Sequence, residues 1–75
     1  MSRIKALRPN ELIKVLEKAG FTRARQTGSH VIMTKAGKRS IPVPVHPKTL
    51  KRGLQEGIFK QAELSPEEVE RLLNE

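Results

Sequence analysis

The chain has 75 residues, a net charge of +7 and neither cysteine nor aspartate, which excludes disulfides, thiolate nucleophiles, a Ser-His-Asp triad and a carboxylate cluster for two catalytic metals. Its length predicts a single domain over residues 1–75, and the lack of an apolar leader or of an apolar run of about 20 residues predicts a soluble cytoplasmic protein without membrane contact. Residues 1–55 carry thirteen Lys or Arg against two Glu, a balance that favours a polyanionic partner such as nucleic acid over a merely solubilising surface.

The N-terminal part predicts a helix followed by a strand. Apolar and charged side chains alternate at helical spacing over residues 9–19, and Gly20 is expected at the C′ position that ends the helix. Residues 21–27 follow as a strand. Regular alternation along this strand predicts that four side chains share one face: Phe21, Arg23, Arg25 and Thr27.

Two more strands are predicted after a tight turn. Gly28-Ser29 has the composition of a hairpin turn, and residues 30–35, rich in β-branched and apolar side chains, are predicted to form the second strand. The third strand spans residues 41–45, where apolar residues alternate with Pro42 and Pro44. Because proline cannot donate a ladder hydrogen bond, this strand is expected at a sheet edge or paired on one side only.

The C-terminal part predicts two helices. The first begins near Gly53, and this glycine and Gly57 either permit close approach to the sheet or weaken the helix. One packing face is expected, formed by Leu50, Leu54, Ile58, Phe59 and Ala62. Ser65, Pro66 and Glu68 then form an N-cap and capping-box signature, which predicts a short, acidic last helix.

Together these elements predict an α+β fold in the order α-β-β-β-α, with a short extra C-terminal helix. The three strands are expected to form an antiparallel meander packed on the helices. This is the element order of the double-stranded RNA-binding domain. Fold order and charge alone are therefore compatible with a non-catalytic RNA-binding module.

His30 is the residue best suited to chemistry. It is one of two histidines, and it directly follows the Gly28-Ser29 turn between two predicted strands. A histidine side chain has an unperturbed pKa of about 6.5, so near neutral pH this residue type can both accept and donate a proton. The alternative is a structural histidine that caps the turn or donates a hydrogen bond to a carbonyl group.

Four segments of the chain carry a family resemblance. They are Lys18-Ala19-Gly20-Phe21, Arg25-Gln26-Thr27-Gly28-Ser29-His30, Ile41-Pro42-Val43-Pro44-Val45-His46, and Gly53 followed by Ile58-Phe59-Lys60-Gln61-Ala62. In this order and spacing they resemble the HicA toxins of prokaryotic toxin-antitoxin pairs, which are small mRNA-cleaving ribonucleases. The resemblance as a whole runs from about Asn10 to Leu73. One departure is Gln55, which stands where the family usually has an apolar residue. Leu54 is expected to fill the core in its place.

The resemblance implies that His30 is the catalytic residue of a metal-independent endoribonuclease. Such an enzyme cleaves single-stranded mRNA by attack of the neighbouring 2′-hydroxyl on the phosphate, and a HicB-type antitoxin neutralises it. No cofactor and no small-molecule ligand are expected. His46 is either a second acid-base group or a structural residue at the end of the third strand, and two histidines without a third ligand make a poor metal site. An inactive relative retained as a partner-binding protein is the remaining alternative.

Cations beside His30 are needed to stabilise the negative charge that develops on the phosphate. On the adjoining strands the candidates are Arg25, Lys35, Lys38 and Arg39. A second basic cluster, which either holds the RNA backbone or forms a solvated loop, consists of Lys48, Lys51 and Arg52.

Overall fold

The computed structural model describes residues 4–45 and 50–75, which form three helices and a three-stranded antiparallel sheet. The elements are α1 (Pro9–Lys18), β1 (Thr22–Thr27), β2 (His30–Thr34), β3 (Ile41–Pro44), α2 (Arg52–Gln61) and α3 (Pro66–Leu73). The strands follow one another in the order β1-β2-β3, so the proline-containing strand β3 lies at an edge, as its sequence predicts. The α+β meander is confirmed. None of the helices in these residues has the length and apolarity needed to cross a membrane.

The helices cover one side of the sheet. Along β2 and β3 every second side chain is buried in the core, and these four define the inner face: Val31, Met33, Ile41 and Val43. Apolar residues of α1 meet them, with Leu12, Ile13 and Leu16 all at most 1% exposed. The side chains between these core positions therefore lie on the opposite side of the sheet.

β1 is a fully exposed edge strand with an irregular register. Arg23 lies opposite Met33, whereas Arg25 lies opposite Ile32, so the ladder shifts at Ala24. Cross-strand partners share a face, which places Arg23 on the inner side and Arg25 on the outer side. The prediction that Arg23 and Arg25 share one face is wrong, because the β-bulge at Ala24 breaks the alternation on which it rests.

The first two helices end in the same hydrogen-bonding motif with different residues. In α1, Gly20 adopts φ +104°, and the Phe21 amide donates to the Leu16 carbonyl at 2.9 Å. In α2, Glu63 takes the equivalent left-handed position with φ +59°, and the Leu64 amide donates to the Phe59 carbonyl at 2.9 Å. Both are Schellman motifs, for which glycine is the preferred residue. The predicted role of Gly20 is confirmed.

The last helix starts as its sequence predicts. Ser65 is the N-cap of α3, and its side chain accepts a hydrogen bond from the Glu68 amide at 3.2 Å. The Glu68 carboxylate accepts in return from the Ser65 amide at 3.2 Å. This reciprocal pair is the predicted capping box, and α3 packs on α1 through Val69 and Leu72.

The packing face of α2 differs from the prediction at one position. Leu54 is 45% exposed, and Gln55 is buried instead with 1% exposure. The Gln55 amide oxygen accepts from the Leu7 amide at 2.8 Å, and its nitrogen donates to the Lys5 carbonyl at 3.0 Å. A buried polar side chain is stable when its hydrogen bonds are satisfied, so Gln55 joins the N-terminal segment to α2 and Leu54 does not fill the core.

The two glycines of α2 do not serve close packing. A Cβ atom at Gly53 or Gly57 would meet no heavy atom within 4 Å. The alternative in which they permit close approach to the sheet is therefore excluded, and their effect on α2 is the loss of helix propensity that glycine brings.

Candidate functional site

His30 lies at the start of β2, beside the turn that joins it to β1. Thr27 and His30 are paired across the hairpin, and Gly28-Ser29 forms the two-residue loop between them. Gly28 adopts φ +57°, a value that glycine reaches without steric cost and that a two-residue hairpin turn requires. The Ser29 carbonyl accepts a hydrogen bond of 2.7 Å from the Val45 amide, so the end of β3 holds the turn in place. His30 is exposed beside this turn.

The side of the sheet that carries His30 is hereafter the outer face. By the register of the three strands it comprises Thr22, Arg25, Thr27, His30, Ile32, Thr34, Pro42 and Pro44. Thr27 and Pro44 are the direct cross-strand neighbours of His30, and Arg25 is its diagonal neighbour, for which the Cα separation is typically about 7–8 Å. From Lys18 to Gln55 the chain has no acidic residue, so the outer face is free of carboxylates.

Lys35 and Lys38 lie at the other end of β2. Lys35 is five residue steps from His30, a distance of roughly 16 Å along an extended chain. The Lys35 ammonium donates to the Ala19 carbonyl at 2.8 Å at the end of α1 and lies 5.6 Å from the centre of the Phe21 ring. Lys38 forms an ion pair with Glu63 after α2. Both lysines therefore contact other groups of the protein, away from His30.

The hydrogen bond from Lys38, together with its positive charge, lowers the pKa of the Glu63 carboxyl group below its ordinary value. Arg39 is exposed in the same connection between β2 and β3. The structure thus groups Lys35, Lys38 and Arg39 at one end of the sheet and His30 with Arg25 at the other.

Two members of the second basic cluster lie at the start of α2. Lys51 is the N-cap of α2 and Arg52 its first residue; both are exposed, and the Arg52 guanidinium donates to the Ile4 carbonyl at 3.4 Å. Lys48 lies outside the described residues, and so does His46. Within residues 4–45 and 50–75, no three His or Glu side chains cluster as metal ligands.

Comparison with protein-family models matches residues 9–64 to a family described as the HicA toxin of bacterial toxin-antitoxin. The chain belongs to the HicA toxin family. Among solved structures, this HicA chain is similar to a chain of a toxin-antitoxin complex from Streptococcus pneumoniae. The two are 36% identical with a TM-score of 0.67, over 73% of this chain and 93% of that chain. Comparison with curated proteins gives no match.

The HicA match covers α1, the whole sheet and α2, and ends before the capping box of α3. It therefore includes His30 and the entire outer face. Two outer-face residues of this HicA toxin were not predicted as site residues: Thr27, directly opposite His30, and Ile32, opposite Arg25. The two-residue hairpin loop could have identified Thr27, because such a loop pairs the residues that flank it.

Proposed function

We propose that this HicA toxin is an endoribonuclease that cleaves mRNA without a metal ion. The observation that carries the proposal is the position of His30. It is an exposed histidine at the end of a hairpin, with Arg25 diagonal to it on a face that lacks carboxylates. Such a face attracts a polyanion and places a proton-transferring group against it. Because mRNA is the substrate, we expect the toxin to act in the cytoplasm.

The proposed reaction uses the RNA's own 2′-hydroxyl as the nucleophile. Its oxygen forms a bond to the adjacent phosphorus, the bond from phosphorus to the 5′-oxygen breaks, and the products are a 2′,3′-cyclic phosphate and a free 5′-hydroxyl. One proton leaves the 2′-hydroxyl and one proton reaches the 5′-oxygen. His30 performs one of these two transfers, which contributes about 10²- to 10⁴-fold to the rate. His46 is the candidate for the other transfer.

A metal-independent reaction agrees with the donor groups of the chain. The sequence has no aspartate and no cysteine, and the described residues bring no three potential ligands together. In a metal-independent reaction, cations of the protein stabilise the charge that develops on the phosphate. Arg25 is the cation beside His30, and Lys51 and Arg52 are candidates for holding the backbone further along the RNA.

We further propose that a HicB-type antitoxin neutralises the toxin by covering the outer face. Membership of the HicA family and the similarity to a chain of a toxin-antitoxin complex support such a partner. The +11 balance of residues 1–55 suits an acidic contact surface, because complementary charge accelerates association and fixes orientation. A partner seated over His30 would exclude RNA sterically.

The test is cleavage of a labelled single-stranded RNA in EDTA by the wild type and by His30→Ala. We expect the wild type to cut and the variant to bind RNA with similar affinity while cutting at least about 100-fold more slowly. Equal melting temperatures would show that the exposed substitution leaves the fold intact. Binding without cleavage by either protein would instead assign a non-catalytic RNA-binding module, and neither binding nor cleavage would indicate an inactive relative.

A further inference from the structure

We infer that Arg25 and Ile32 form a platform on which one unpaired base of the RNA stacks, next to the phosphate that His30 acts on. This inference rests on the proposed function and adds to it a determinant of substrate choice. Arg25 would then have two roles. It would supply a positive charge near the reacting phosphate, and it would contact a base and so contribute to substrate specificity.

The hairpin register and the β-bulge at Ala24 place the two arginines of β1 on opposite sides of the sheet. Without a register shift, Arg23 and Arg25 would lie on the same side of β1. Regular alternation from the Thr27–His30 pair places Arg25 opposite Ile32 on the outer face, and the shift moves Arg23, opposite Met33, to the inner side. Arg25 is thus in the row adjacent to His30, displaced by two residues along the strand. This displacement is comparable with the separation of neighbouring nucleotides in an extended single strand.

The two arginines also differ in their partners. Arg23 forms an ion pair with Glu17 of α1 at 3.9 Å. In the part of the chain that the structure describes, Arg25 has neither an ion pair nor a side-chain hydrogen bond. Its guanidinium is therefore available to a ligand, and the absence of acidic residues from Lys18 to Gln55 means that no carboxylate of the sheet competes for it.

The composition of the outer face favours a base over a second phosphate. Single-stranded RNA is usually held by stacking of its bases on aromatic rings or on arginine planes. The only aromatic residues here, Phe21 and Phe59, are 2% and 5% exposed and belong to the core. Arg25 supplies the planar group. Half-buried Ile32 and its cross-strand partner in β3, Pro42, supply an apolar surface beside it. A phosphate gains nothing from such an apolar surface.

Arg25→Lys is the decisive variant, because lysine retains the charge but has no plane on which a base can stack. Arg23→Lys is the matched control on the inner side of the same strand. Both variants and the wild type are assayed on RNAs in which one nucleotide at a time, on either side of the cleavage site, is replaced by an abasic ribose. This replacement removes the base and leaves every phosphate and 2′-hydroxyl in place.

We expect one abasic position to slow the wild type roughly 5- to 150-fold in kcat/KM, the range that corresponds to loss of one stacked base. Arg25→Lys should show a loss of similar size on intact RNA and almost no further loss at that position, because both changes remove the same contact. Arg23→Lys should resemble the wild type throughout. Multiplicative losses, or an Arg25→Lys variant with wild-type kcat/KM, would overturn the inference.

Binding measurements separate this inference from the proposed ribonuclease activity. The affinities for intact and for abasic RNA are measured for two proteins, the His30→Ala variant and the double variant that also carries Arg25→Lys. A base-dependent difference that vanishes in Arg25→Lys would support the platform even if the wild type did not cleave RNA. If Arg25→Lys weakened only antitoxin binding and left RNA affinity unchanged, Arg25 would belong to a protein interface and the inference would be wrong.

Discussion

The two faces of the sheet are built from alternate residues of the same three strands, yet they differ in almost every physical respect. The inner face is apolar, buried and covered by helices, while the outer face is mostly polar, has no carboxylate and carries Arg25 and the exposed His30. Adjacent residues such as His30 and Val31 therefore belong to different environments. Substitutions at alternate positions of β2 should therefore change either the stability of the fold or the activity, but not both.

The largest expected effect on the outer face is that of His30→Gln, which retains a polar side chain but cannot transfer a proton. We expect kcat for RNA cleavage to fall about 10²- to 10⁴-fold, with the free energy of unfolding within about 0.5 kcal/mol of the wild type. Single-turnover kinetics and urea denaturation measure the two quantities. A large loss of stability would show that His30 is a structural residue of the turn.

Met33→Ala tests the opposite face of the same strand. Met33 is fully buried, and its truncation should lower the free energy of unfolding by about 2–5 kcal/mol through lost burial and a cavity. At a temperature where the variant is still folded, its kcat should stay near the wild-type value. A selective loss of kcat in the folded variant would contradict the claim that the inner face affects stability alone.

Gln55→Leu extends the test to the helical layer that covers the inner face. The substitution removes the acceptor of the buried Leu7 amide and the donor to the Lys5 carbonyl. We expect a loss of about 1–3 kcal/mol in unfolding free energy, because unpaired buried polar groups lose their hydration without compensation. Exposed Gln61→Leu is the control. Equal stability of the two variants would contradict this role of Gln55.

Glu63→Gly should raise the stability of the fold, by less than Gln55→Leu lowers it. Glu63 occupies the left-handed position that Gly20 occupies in α1, and a glycine there removes the strain of a side chain at φ +59°. We expect a melting temperature a few degrees higher, measured by thermal denaturation. Glu63→Ala, which loses the Lys38 contact and keeps the strain, should not gain stability.

The smallest expected effect is a pH dependence of the Lys38–Glu63 contact. Lys38 lowers the pKa of the Glu63 carboxyl group, so the carboxylate stabilises the folded state above the ordinary glutamate pKa and loses this contribution as the pH falls through the lowered value. The difference in urea midpoint between the wild type and Glu63→Gln should shrink from pH 6 to pH 3. Glu63 is exposed, so screening by salt should reduce the difference as well.

Local patterns predicted most of the fold. The Gly20 helix end, the Gly28-Ser29 hairpin and the Ser65 capping box each depend on residues a few positions apart, and all three are confirmed. The edge position of β3 followed from its prolines in the same way.

The features that sequence reasoning missed depend on distant partners or on irregular backbone. The partner of Gln55 is Leu7, 48 residues away, and nothing near Gln55 in the sequence indicates it. The bulge at Ala24 interrupts an alternation that is otherwise regular, so the face of Arg23 could not be predicted from its position in β1. In the same way, the contact of Lys35 with the end of α1 emerges only from the packing of the sheet.

The attachment of the N-terminal segment to α2 also has a kinetic consequence. The hairpin that carries His30 closes over a few residues and can form within about 10 μs. The bonds from Gln55 to Leu7 and from Lys18 to the Leu72 carbonyl join residues 48 and 54 positions apart, so loop closure delays them. During synthesis, the strands of the outer face leave the ribosome before the helices that close the core against α1. We therefore expect a nascent chain to remain without a stable site until α2 and α3 have been made.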